Sequence, residues 1–220
     1  MKIGVFDSGI GGLSVAHAIE NAFPLATIVF VTDPEHFPYA TKSPDEIWQG
    51  IVPIFQDLID QKCDVIVVAC NTVSTTLIQR LRETFPAMTF VGLEPMVKPA
   101  VQLSASKAIC VCATPTTLAS PRYQELKQQY AADVLVIEPD CTEWSRLIEE
   151  NAINEAKLRA AIQPALASGA DVIVLGCTHY HWIEQEIRNI VGDQAEILQP
   201  EQAVISQLTR LLSSASEPVA

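Results

Sequence analysis

The chain has 220 residues, 49% of them hydrophobic and 18% charged, with a formal net charge of −12. That balance is globular, and the length suits one large domain or two small ones with a sizeable core. The acidic balance, with no basic cluster, excludes an electrostatic grip on nucleic acid or an anionic lipid surface. An anionic small molecule stays within reach, because backbone N–H groups can hold one inside an acidic exterior. No apolar run approaches membrane-spanning length. Met1-Lys2-Ile3-Gly4-Val5-Phe6 leads into a strand with no signal-peptide segment. A cytoplasmic protein is expected.

Residues 2–6 read as a strand, followed by Asp7-Ser8-Gly9-Ile10-Gly11-Gly12 and a helix over about 13–21. A second strand covers 27–32 and ends at Asp33. Ser43-Pro44-Asp45-Glu46 opens a long helix, with serine as cap, proline at the first helical position and glutamate three residues after the cap. Its apolar stripe is Ile47, Ile51, Ile54 and Leu58. Strands at 64–69 and 88–92 flank a helix over about 72–83. Gly92-Leu93-Glu94-Pro95 interrupts the alternation, which restarts with a strand at 107–112. A helix near 117–130, a strand at 133–137, two helices within about 142–168 and a strand at 171–176 follow. A helix near 181–190, a short strand near 195–198 and a helix near 201–212 complete the pattern, and the tail from Ser213 lacks periodicity. Strands alternating with helices predict an α/β fold with parallel sheets and right-handed crossovers. We expect two similar doubly wound lobes with a cleft between them. The first is residues 1–94 plus the last helix, about 200–220, crossing back; the second is 95–199.

One pattern occurs twice. Asp64-Val65-Ile66-Val67-Val68-Ala69-Cys70 precedes Asn71-Thr72, and Asp171-Val172-Ile173-Val174-Leu175-Gly176-Cys177 precedes Thr178-His179. Each is a β-branched run suited to a fully buried parallel strand. Ligands bind at the carboxyl ends of such strands, so two thiols are expected to face one site from opposite sides. Free thiols titrate near ~8.5 and react as thiolates, which helix N-termini at the same edge favour. A lone cysteine after a strand is more often packing; two in equivalent settings weigh the other way. Cys63, Cys110 and Cys112 read as packing, the latter two on a strand of alternating exposure. No cysteine spacing suits zinc, and no disulfide framework is expected.

Asp7 and Ser8 end the first strand, as helix caps or as site residues. Gly9, Gly11 and Gly12 permit a tight turn beside a carboxylate or phosphate. With Asp33 they also brush a dinucleotide fingerprint, although Ser14 stands where the third glycine belongs. His179 is placed to assist Cys177 as a base or hydrogen-bond partner, whereas His181 reads as a surface or packing residue. Two acid–base groups flanking one carbon remove a proton from one face and return one to the other, which inverts the stereocentre. No strand-borne lysine has pyridoxal-like surroundings, and no cofactor or metal is expected.

In this order the motifs resemble the cofactor-independent glutamate racemases of the aspartate/glutamate racemase superfamily. The matching pieces are Asp7 to Leu13, Pro38-Tyr39-Ala40-Thr41-Lys42-Ser43, Ala69-Cys70-Asn71-Thr72 and Gly92-Leu93-Glu94-Pro95. Thr114, Thr117, Ser120, Tyr123 and Leu175-Gly176-Cys177-Thr178-His179-Tyr180 complete them. The resemblance implies that Cys70 and Cys177 are the catalytic thiols, with Asp7 assisting the first and His179 the second. Glu149 would be a further acidic partner, against its alternative as a solvated helix carboxylate. It also implies that Ser8, Tyr39, Ala40, Asn71, Thr72, Thr114, Thr117 and Thr178 surround glutamate, and that the product is D-glutamate for peptidoglycan. Family members often form homodimers, though no feature of this sequence marks an interface.

The sequence departs from the family pattern at several places. Ala40 replaces glycine, so a methyl group narrows the site or alters a turn that needs φ > 0. Val73 replaces alanine, His181-Trp182 replaces Pro-Leu, Thr142 replaces proline, and Gln199 replaces aspartate. The competing readings are a racemase of aspartate or another acidic substrate, and a metabolite-binding regulator on the same scaffold.

Overall fold

A computed structural model of the chain describes residues 1–215. The first half runs β1 (Lys2–Asp7), a 3-10 turn (Ile10–Gly12), α1 (Leu13–Ala22), β2 (Thr27–Thr32), α2 (Pro44–Asp60), β3 (Val65–Val68), α3 (Asn71–Thr76), α4 (Ile78–Thr84) and β4 (Phe90–Gly92). The chain continues through α5 (Val97–Leu103), β5 (Ala108–Cys112), α6 (Pro115–Ala119), α7 (Pro121–Tyr130), β6 (Leu135–Ile137), α8 (Trp144–Glu149) and α9 (Glu155–Ala167). It ends with β7 (Val172–Leu175), a 3-10 helix (Thr178–Ile183), α10 (Glu184–Val191), a 3-10 turn (Gly192–Gln194), β8 (Glu196–Leu198) and α11 (Glu201–Ala215).

The strands form two four-stranded parallel sheets, ordered β2-β1-β3-β4 and β6-β5-β7-β8. The two orders are the same, so β3 and β7 occupy equivalent central positions. Each sheet is buried on both faces, and the two-residue period of a strand sends alternate side chains into different cores. In the first sheet Phe6, Ile66 and Val68 meet Ile47, Ile51, Phe55 and Leu58 of α2. Ile3, Val5, Val65 and Val67 meet Val15 and Ile19 of α1 and Val204 and Leu208 of α11. In the second, Cys110, Cys112, Ile173 and Leu175 pack on α9 and α10, while Ile109, Val111, Val172 and Val174 pack on α5 and α7. The alternating exposure expected around Cys110 and Cys112 is therefore wrong: all of β5 is buried, because helices cover both faces. Each fully buried Ile, Leu or Phe contributes roughly 1.5–3 kcal/mol.

The capping box of α2 forms as the sequence predicts: Ser43 Oγ accepts from Glu46 N at 3.3 Å, and Glu46 Oε2 accepts from Ser43 N at 2.9 Å. Elsewhere local chemistry divides helices that read as continuous. The helix over 72–83 is broken at Leu77, after Thr75 and Thr76 have folded their hydroxyls back onto Asn71 O (2.9 Å) and Thr72 O (2.6 Å). The one near 117–130 is split at Ser120, which Pro121 holds extended and which caps α7. Helix α5 has no counterpart in the sequence reading; Pro99 sits in its first turn, where a missing N–H is tolerated. The irregular tail expected from Ser213 is helical as far as Ala215, and its remainder lies outside the described residues. Among the described residues no helix is long and apolar enough to cross a membrane.

Candidate active site

The carboxyl ends of the central strands of both sheets meet at one tightly closed cavity of about 10 Å³. Cys70 follows β3 and serves as N-cap of α3; Cys177 follows β7 and serves as N-cap of the 178–183 helix. Each thiol is buried, yet each lines the cavity. Each also receives N–H groups from the first turn behind it, Val73 for Cys70 and His179 with Tyr180 for Cys177. Those N–H groups favour thiolate, but burial and the neighbouring Asp7 carboxylate oppose them and win. Both thiols are pushed up, Cys177 to about 12 and Cys70 further.

Around Cys177 the side chains form a relay. His179 Nδ1 lies 3.8 Å from Cys177 Sγ, and its Nε2 lies 2.8 Å from Glu149 Oε1. The same oxygen accepts from Ile10 N at 3.0 Å. Burial raises Glu149, but the His179 and Ile10 hydrogen bonds outweigh it and hold the carboxyl below its ordinary range. Glu149 is thus a partner of His179 rather than a freely solvated carboxylate. An Nε2–H donating to Glu149 leaves Nδ1 as the acceptor that faces the thiol. Phe37 stacks on His179 at 5.2 Å between ring centroids.

Around Cys70 the arrangement differs. Cys70 Sγ donates to Ser8 Oγ at 3.7 Å. Asp7 is fully buried, and burial raises its carboxyl. Its Oδ2 accepts from Gly12 N at 2.7 Å and Thr178 Oγ1 at 3.1 Å, while Oδ1 has no partner. Asp7 reaches both thiols through its charge.

The hydroxyls cluster on the wall shared by α3 and α6. Thr72 Oγ1 lies 3.0 Å from Thr114 Oγ1 and 3.3 Å from Thr117 Oγ1, and Thr114 donates to Thr117 at 2.9 Å. Thr117, Asp7 and Glu149 stand behind the wall; Ser8, Tyr39, Ala40, Asn71, Thr72, Thr114, Thr178 and His179 line it with the thiols. Asn71 offers both amide atoms unpartnered. Phe37 and Ser145 complete the lining, and neither stood out in the sequence. An aromatic residue before the Pro38-Tyr39 motif was the available signal for Phe37; Ser145 had none beyond lying one helical turn before Glu149.

Asp33 agrees with the incomplete dinucleotide fingerprint: it is buried, Tyr39 OH donates to its Oδ2 and His36 Nδ1 lies 2.7 Å from Oδ1, so its oxygens are taken. Ala40 does not occupy a left-handed turn: among the described residues the non-glycine residues at positive φ are Lys62, Lys107 and Asn151. Its methyl is buried in the cavity wall, and its carbonyl accepts from Thr116 Oγ1 at 2.8 Å. Of the two readings of His181 the packing one holds: its side chain is buried, with Nδ1 3.1 Å from Ser14 Oγ and 3.3 Å from Glu201 Oε1. Trp182 Nε1 donates to Gly11 O at 3.3 Å. All six cysteines are free, and among the described residues no group of three or more His, Cys, Asp or Glu could hold a metal ion.

Gly11 brings the turn against the 178–183 helix. A Cβ there would lie 2.6 Å from His179 N, 2.7 Å from its Nδ1 and 2.8 Å from Thr178 Oγ1. Gly11→Ala is therefore expected to force the two segments apart and cost about 1–3 kcal/mol by overpacking. A urea titration checks the stability loss, and turnover should fall further than stability because His179 moves from Cys177.

A model of the Asp/Glu/hydantoin racemase family matches residues 11–208. This chain belongs to that family. It is 38% identical over 214 residues to a glutamate racemase of Ectopseudomonas mendocina, covering 96% of this chain and 81% of the relative. Among solved structures, Escherichia coli glutamate racemase in complex with L-glutamate and the activator UDP-MurNAc-ala superposes with a TM-score of 0.89. There the identity is 29%, over 96% of this chain and 82% of that one. Francisella tularensis glutamate racemase in complex with D-glutamate gives a TM-score of 0.83 at 27% identity, over 100% of this chain and 84% of that one.

Proposed function

We propose that this protein is a glutamate racemase that works without a cofactor, in the cytoplasm, and supplies D-glutamate for peptidoglycan. The observation that carries the reading is the pair of thiols, Cys70 and Cys177, brought to one cavity from equivalent strands of two sheets. The relatives named above are glutamate racemases, and two of their structures hold L- or D-glutamate.

The chemistry follows from the placement. With glutamate between the sulfurs, one thiolate takes the Cα proton and leaves a planar carbanion conjugated with the α-carboxylate. The opposite thiol gives its proton to the other face, and the two sulfurs exchange protonation states. Both thiols are protonated at neutral pH by burial and by Asp7. The substrate ammonium brings a positive charge beside them and draws one toward thiolate. His179, oriented by Glu149, accepts or returns the Cys177 proton, and Asp7 serves the Cys70 side.

The test is circular dichroism of L-glutamate, with L-aspartate in parallel, incubated with the reduced protein and no cofactor. The glutamate signal should decay to zero, and in heavy water the product should carry deuterium at Cα. Decay for aspartate alone would move the substrate, and racemisation without deuterium uptake would reject the two-base route.

A further inference from the structure

Ser145 lies in the cavity wall from α8, beside Cys177 and His179 in the lining. It is only 1% exposed, and its Oγ has no hydrogen-bond partner. Ser145 is the second residue of α8, and a serine on a helix can return its hydroxyl to the carbonyl four residues back. For Ser145 that carbonyl is Cys141 O, which already accepts from Trp144 N at 3.1 Å and from Tyr180 OH at 3.1 Å. That carbonyl is already committed, and the hydroxyl of this cavity-lining residue stays unpartnered. Glu149 follows one turn later on the same face of the helix and reaches His179, so α8 presents two polar groups to this wall.

The rest of the wall is short of free donors. No lysine or arginine lines it. The hydroxyls of Thr72 and Thr114 bond one another, those of Thr178 and Tyr39 donate to Asp7 and Asp33, and Ser8, which accepts from Cys70, keeps its own proton uncommitted. An acidic amino acid brings two carboxylates, whose oxygens then depend on backbone N–H groups, on Asn71 and on any uncommitted hydroxyl. Buried polar groups that lack a partner are uncommon in folded proteins and concentrate where a ligand completes them.

We propose that Ser145 contacts the substrate, its hydroxyl donating a hydrogen bond to a carboxylate oxygen of the bound acidic amino acid. This rests on the racemase reading above. A hydrogen bond to a charged group accounts for roughly ten-fold or more in affinity, and one made equally to substrate and transition state appears in KM rather than kcat.

The experiment compares wild type with Ser145→Ala. KM for both L- and D-glutamate should rise about ten-fold, with kcat within about three-fold. The melting temperature without substrate should be equal or higher, because the variant removes an unpaired buried hydroxyl, and the thermal shift given by saturating D-glutamate should shrink. An unchanged KM in a variant whose wild type racemises glutamate overturns the role of Ser145 alone. So does a lower melting temperature with kcat falling and KM unmoved, which marks a structural serine. A wild type inert toward both enantiomers overturns the glutamate reading and this inference with it.

Discussion

Cys70→Ser and Cys177→Ser are each expected to lower kcat/KM for racemisation by at least about 10³-fold while the fold stays intact. Positioned acid–base groups supply about 10²–10⁴-fold each, and a hydroxyl is a far weaker acid than a thiol. Both directions must suffer equally. The two enantiomers have the same free energy in water, so the equilibrium constant is unity and the two kcat/KM values are tied together. Every turnover uses both sulfurs, one taking a proton and the other giving one. The variants should nonetheless differ in one respect. The remaining thiol still faces Cα of one enantiomer, so slow wash-in of solvent deuterium should survive without inversion. Cys70→Ser should retain it for one enantiomer and Cys177→Ser for the other, read by mass spectrometry of recovered glutamate. Near-native turnover in either variant would end the two-thiol mechanism, and wash-in on the same enantiomer for both would end the assignment of opposite faces.

The duplicated strand–cysteine pattern made this geometry legible, because a parallel strand buried on both faces has a composition of its own and ends where ligands bind. Val65 to Val68 and Val172 to Leu175 are continuous apolar runs, and the cysteine two residues past each run falls at the sheet edge. What periodicity could not supply was contact between distant segments. Nothing local says that Glu149 reaches His179 or that Ile10 N shares its oxygen; only resemblance pointed to Glu149. Ser145 was silent because its meaning depends on Tyr180 having occupied Cys141 O. The misread helices share another cause. Thr75, Thr76 and Ser120 satisfy backbone groups with their own hydroxyls, which ends helices that the apolar spacing would have continued. Asp33, the acid of the incomplete dinucleotide fingerprint, is held by Tyr39 and His36, a pairing that only tertiary structure shows.

Asp7→Asn separates charge from shape at the centre of the site. The amide oxygen can keep the bonds from Gly12 N and Thr178 Oγ1, so the turn should hold while the negative charge disappears. The carboxylate pushes both thiols up after burial has done so. Its removal should therefore lower both thiols, Cys177 from about 12, and alkylation by iodoacetamide near pH 9 should speed up. Turnover should move the other way, falling about 10²–10⁴-fold if Asp7 handles the proton on the Cys70 side. More reactive thiols with less racemisation are not expected of general unfolding if the melting temperature is retained. Stability supplies that control. Burial holds the Asp7 carboxyl above its ordinary 3.8, so the folded state binds this proton more tightly than the unfolded chain. The resulting stability is present below the unfolded value and is lost as pH rises through the folded one. Above the folded value the wild type bears the cost of a buried carboxylate and the variant does not, so Asp7→Asn should gain in relative melting temperature as pH rises and lose that advantage as pH falls. A slower alkylation rate, or turnover within a few-fold of wild type, would remove Asp7 from the chemistry and leave it as the clasp between the Gly12 turn and Thr178.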